Sequence, residues 1–165
     1  MATNSSLVIR QALPEDDVRL KAIVDSSFPR FFRYFALHSL QSEEGAVLVA
    51  QADGAVAGFA KLIWFKIKNE QFGCILWLAV DPNMRKKGYA TTLVGAGTKY
   101  LKSHGSKAVF ASVQRKNKAS LATFKKEGFA RIGFLGLWRM FGRNVFSFYG
   151  DIWFAPGEVA LIKIN

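Results

Sequence analysis

Between Cys74 and Gly128 the sequence reads strand, helix, strand, helix, and this order limits the folds open to the chain more than any other feature. Cys74 to Val80 is almost wholly apolar, which predicts a central strand, and Pro82, unable to donate to a ladder, stops it. Apolar positions at Ala90, Leu93, Val94, Gly97 and Leu101 recur three or four apart. That spacing predicts one face of a helix from Gly88 to His104, with Gly105 placed to end it. Lys107 to Val113 reads as another strand, and Asn117 opens a helix that reaches Glu127 and stops at Gly128.

Upstream, Leu7 to Gln11 reads as a strand, and Leu13-Pro14-Glu15-Asp16-Asp17 starts a helix, with acids in its first turn, that runs to about Ser26. Pro29 interrupts the chain. A second helical stretch begins at Arg30, where amphipathic patterning places Phe31, Phe32, Tyr34 and Phe35 in the core and the arginines in solvent. Ala46 to Gln51 and Ala55 to Ile67 are strands joined at Asp53-Gly54, a strong hairpin signal. Two apolar runs around Phe141-Gly142-Arg143 predict a long hairpin across Phe129 to Phe154, before a short strand from Val159 to Ile164. The hairpin's apolar surface would serve core packing, cover a substrate site or form a homodimer interface.

At 165 residues and 18.4 kDa the chain is sized for one domain spanning residues 1–165. Half its residues are hydrophobic, which excludes a disordered chain, yet no apolar run reaches the roughly 20 residues of a membrane helix. Met1 to Arg10 lacks the pattern of an export leader, so a cytoplasmic location and no membrane partner are expected. Cys74 is the one cysteine, and with His38 and His104 far apart no metal is expected. A formal charge of +11 favours an anionic partner: nucleic acid, anionic lipid or a phosphorylated cofactor. The cations lie in short clusters, not in a basic tail, and no nucleic-acid-binding motif accompanies them.

The segment Asp81 to Thr91 leads from the apolar strand through a basic turn, Arg85-Lys86-Lys87, into a helix. A helix start offers unpaired N–H groups and a partial positive charge, and Gly88 removes the side chain that would keep a phosphate away. Arg85-Lys86-Lys87-Gly88-Tyr89-Ala90 resembles the coenzyme-A signature of the GNAT acetyltransferases, and Asn117 to Phe129 is similar to that family's second signature. Together with the strand and helix order from Leu7 to Phe154, the resemblance covers nearly the whole chain. The resemblance implies an α/β (α+β) GNAT fold: a central mixed, mostly antiparallel sheet of six to seven strands, about four helices, and a splayed parallel pair at the cofactor slot.

It also implies an N-acetyltransferase that uses acetyl-CoA and a primary amine of a small molecule or protein, with direct attack in a ternary complex. The backbone of Leu78, Ala79 and Val80 would bind the pantetheine arm, and Arg85, Lys86, Lys87, Gly88, Tyr89, Ala90 and Thr91 the pyrophosphate. Asn117, Ser120 and Phe124 would flank the thiol. Asn117 also suits a helix cap, and Phe124 a core aromatic. Two positions depart from the family pattern: Cys74 stands where many relatives have a Glu base, and Phe124 where many have a Tyr acid. Glu70, Tyr149 and Asp151 are candidates to substitute. Those departures keep open a second reading, a cofactor-binding module without catalysis; the charge keeps a third, a basic nucleic-acid-binding domain, and the resemblance also places Arg30 to Leu37 where relatives have a helical substrate wall.

Overall fold

The computed structural model describes residues 6–164, so the first part of the segment read for an export leader lies outside the described residues. Seven strands form one sheet in the order β1-β2-β3-β4-β5-β7-β6. They are β1 Leu7–Gln11, β2 Ala46–Ala52, β3 Ala55–Ile67, β4 Glu70–Val80, β5 Ala108–Gln114, β6 Ala130–Ile132 and β7 Glu158–Ile164. Every pairing is antiparallel except that of β4 with β5. The helices are α1 Asp17–Ser27, α2 Arg30–Gln41, α3 Tyr89–Ser103, α4 Lys118–Lys126, α5 Phe134–Phe141 and α6 Val145–Asp151. None is long and apolar enough to cross a membrane among the described residues.

The hairpin expected at Asp53-Gly54 forms, with both residues at positive φ (50° and 83°), the geometry that matches the twist of the strands it joins. The hairpin expected across Phe129 to Phe154 does not form. That segment folds as the short strand β6 followed by α5 and α6, because Leu137 with Phe141, and Val145 with Phe148, recur at helical spacing and are all buried. Gly142, at φ 58°, turns the chain between the two helices.

The sheet buries both faces. On one, α3 and α4 cover Leu62, Ile75, Val109 and Leu161. On the other, α5 and α6 pack Leu137, Phe141 and Phe148 against Phe72, Cys74 and Phe110, while α1 and α2 cover Val49 and Phe59. Phe110 lies at the centre of the aromatic layer, with ring centroids 4.7 Å from Phe148 and 5.9 Å from Phe141.

Charged side chains fasten the sheet to its first helix. Arg19 on α1 pairs with Asp81, whose carboxylate also accepts from the Asn83 N–H at 2.8 Å, and Arg10 pairs with Asp16 at 2.7 Å. The Asn83 N–H and Arg19 hold Asp81 below the usual carboxylate range, and Arg10 does the same for Asp16. A carboxylate with a depressed folded-state pKa stabilises the fold above its unfolded value, about 3.9, and that contribution vanishes as pH falls through the depressed value. Melting temperature is therefore expected to fall with acidification below about pH 4. Asp81→Asn should flatten that acid limb; an unchanged slope would show that Asp81 carries none of it.

Candidate functional site

The β4–β5 ladder contains only three pairs, Gly73 with Val109, Cys74 with Phe110 and Ile75 with Ala111. Beyond Ile75 the two strands part. The β4 edge facing β5 is then without a strand partner, and its N–H and C=O groups require other hydrogen-bonding partners. Opposite the last paired residues, the β3–β4 register slips: Leu62 faces Ile75, Lys61 faces Trp77, and Leu76 is the extra residue. Such a bulge re-aims the residues beside it. Leu76 packs toward the α5–α6 aromatics and Trp77 toward α1 and α2.

A cleft of about 1100 Å³ fills the space between the parted strands. Its basic half is the turn from β4 into α3. Asp81 caps a 3-10 turn, Pro82–Met84, and Arg85 Nε donates to the Val80 carbonyl at 3.1 Å, folding the turn back over the strand end. Lys86 and Gly88 both take positive φ, 63° and 82°, before α3 begins at Tyr89. A Cβ at Gly88 would meet nothing within 4 Å, so the glycine leaves open room at the helix start.

Of the residues singled out in the sequence, Leu78, Ala79, Val80, Arg85, Lys86, Gly88, Tyr89, Ala90, Thr91, Asn117, Ser120 and Phe124 line this one cleft. Lys87 does not; it is exposed on the same turn. Asn117 caps α4, accepting the Ser120 N–H at 3.1 Å, and Phe124 is 3% exposed with its ring edge-on to Phe129 at 5.1 Å. Each therefore has a structural role as well as a place on the cleft wall.

The candidates for proton transfer lie elsewhere. Glu70 is at the opposite end of β4, paired with Lys107 at the surface. Tyr149 packs on Phe148 and Phe154, with centroids at 5.7 and 4.8 Å, and does not line the cleft. Asp151, at the end of α6, is half-buried, and burial pushes its carboxyl up against an opposing hydrogen bond from Ser147. It too stands off the cleft. Cys74 is fully buried, and that burial pushes its thiol well above the ordinary range, which leaves it without nucleophilic thiolate.

Sequence reading overlooked Glu158, the one carboxylate among the described residues that line the cleft. It begins β7, accepts from the Ser112 hydroxyl, and accepts from the Ala155 N–H at 2.9 Å. Ser112 is the first β5 residue past the short ladder, so the carboxylate sits where the strands separate. No local motif marks it; only the pairing of Gln114 with Glu158 across β5 and β7 brings it in.

The other half of the cleft is aromatic. The α2 rings expected in the core instead line the cleft or face solvent: Phe31 and Tyr34 are 69% and 70% exposed, and α2 buries only Ala36 and Ser39. Phe28 and Phe32 stand edge-on to Trp77 at 5.4 and 6.3 Å, and Phe35 edge-on to Trp153 at 6.4 Å. The indole Nε1 of Trp77 is buried without a hydrogen-bond partner. Trp153, just past the end of α6, takes the left-handed region at φ 54°, its N–H reaching the Gly150 carbonyl while Phe154 N–H reaches the Tyr149 carbonyl. Helix ends of this kind favour glycine, and a side chain there costs about 1–2 kcal/mol.

A mixed sheet with one splayed parallel pair, a basic glycine turn at a helix start and a cleft between the strands together define an acyltransferase-type scaffold. The chain belongs to the acetyltransferase (GNAT) family, whose signature it matches over residues 14–129. It is 32% identical over 93 residues to the mycothiol acetyltransferase of Paenarthrobacter aurescens (strain TC1), which covers 53% of this chain and 28% of that protein, so the chain spans well under a third of that relative's length. In fold it is similar to the PaiA N-acetyltransferase of Thermoplasma acidophilum, solved in complex with coenzyme A, with a TM-score of 0.68 at 18% identity over 97% and 99% of the two chains. A GNAT-family acetyltransferase from Streptococcus pneumoniae gives 0.65 at 16% identity over 97% and 100%.

Proposed function

We propose that this protein transfers the acetyl group of acetyl-CoA to a primary amine by direct attack within a ternary complex. The observation that carries this reading is the open basic turn at Gly88 placed at the end of an unpaired strand edge, with Asn117, Ser120 and Phe124 on the facing wall. Acetyl-CoA would lay its pyrophosphate against Arg85, Lys86 and the first N–H groups of α3, with Lys87 as an outer cation. The amides of its pantetheine arm would pair with the free edge of Leu78, Ala79 and Val80, as an added strand would. The thioester would then lie in the gap where β4 and β5 part. A strand N–H near Ala79 or Val80 would stabilise the oxyanion that forms as the amine attacks.

The cheapest test separates binding from turnover. Acetyl-CoA at about 100 times its Kd is expected to stabilise the protein by about 2.7 kcal/mol, a rise of several degrees in melting temperature. Adding amines should then release coenzyme A thiol. A melting temperature unmoved by millimolar acetyl-CoA would sink the proposal, and a shift without thiol release from any amine would leave a cofactor-binding module in its place.

A further inference from the structure

We infer that the acceptor is an amine carrying a flat apolar body, an arylalkyl amine in chemical class, seated among the aromatic rings of the cleft with its nitrogen on Glu158. This deepens the acetyltransferase reading and rests on it. The basic half of the cleft suits a phosphorylated cofactor and leaves the aromatic half for the second substrate. Phe28 and Phe32 cluster on Trp77, Phe35 stands against Trp153, and Phe154 lines the same cleft. Rings in that arrangement take up a flat apolar group and attract an ammonium through their faces.

One observation points to a ligand and away from simple packing. Trp153 occupies a helix-terminal position where glycine would relieve backbone strain, yet its ring is held 41% exposed against the cleft. Residues held in strained backbone conformations cluster at active sites and ligand clamps.

Glu158 supplies the polar contact that an amine needs. Ser112 and the Ala155 N–H fix the carboxylate at the strand separation, and no other described carboxylate reaches the cleft. The ammonium gives one proton to Glu158, which passes it to solvent. The freed nitrogen lone pair bonds to the thioester carbonyl carbon, and the carbon–sulfur bond breaks. The remaining excess N–H proton goes to the departing sulfur, giving amide and free coenzyme A thiol.

The test compares 2-phenylethylamine with 1,4-diaminobutane, acetyl-CoA binding being followed separately by melting temperature. The aryl amine is expected to show a kcat/KM at least 10-fold higher. Trp153→Gly should raise KM for 2-phenylethylamine about 10-fold while leaving KM for acetyl-CoA unchanged and the melting temperature equal or higher. Glu158→Gln should lower kcat/KM for 2-phenylethylamine at least 100-fold but spare phenylhydrazine, a nucleophile already neutral at pH 7. Acetyl-CoA binding with equal or better use of the diamine, or with neither amine turned over, overturns the acceptor assignment and leaves cofactor binding standing. A loss in Glu158→Gln that is the same for phenylhydrazine overturns its role in proton transfer. Failure of acetyl-CoA to bind refutes the underlying acetyltransferase reading.

Discussion

Replacing Gly88 by aspartate is expected to weaken acetyl-CoA binding by about 100-fold or more while the protein stays folded. A carboxylate about 4 Å from a phosphate charge, at an effective dielectric near 20, opposes it by about 4 kcal/mol, well over the 2.7 kcal/mol that 100-fold requires. The position has room, since an added Cβ meets no atom within 4 Å, so the side chain would project into the cleft and not into the core. The left-handed backbone at φ 82° imposes its own penalty, about 1–2 kcal/mol. Gly88→Ala isolates that share, because it carries the strain without the charge. Calorimetric titration of both variants decides the matter: an aspartate variant that binds as tightly as the alanine one would remove the pyrophosphate from this turn.

Truncating Phe110 to alanine should cost about 3–5 kcal/mol in unfolding free energy, among the larger effects available to a single core change. The ring is completely buried and touches the aromatic layer on several sides, including Phe72 at 6.1 Å and Phe65 at 6.5 Å. Because Phe141 and Phe148 belong to α5 and α6, the void would loosen the docking of both helices. Urea unfolding gives the measurement. A loss under about 1 kcal/mol would mean that these two helices do not rest on β5 as described.

The basic half of the cleft was legible because it is written in contiguous residues. A strand, a proline stop, cations, a glycine and a periodic helix follow one another from Leu78 to Leu101, and each is read by local rules. The aromatic half is assembled from Phe28, Trp77, Trp153 and Glu158, residues brought together by strand pairing and helix docking across most of the chain. No periodicity connects them. The α5–α6 segment was misread for a related reason. Most positions there are apolar, so strand and helix periods both fit, and the break at Gly142 between two apolar runs suggested a hairpin turn where it instead links two helices. Patterning of α2 failed in the opposite sense: its rings face a cleft and solvent, environments that amphipathicity alone cannot tell from a core.

Cys74 gives the protein a practical property. The sole thiol of the chain is sealed between the sheet and the aromatic layer and held protonated, so an aromatic disulfide reagent will see none of it in the native state. Coenzyme A released in the proposed reaction could therefore be counted directly, without subtracting a protein background. When the same reagent does begin to consume one equivalent per chain, it reports that the sheet has opened, so a single colorimetric reading can distinguish an active sample from an unfolding one.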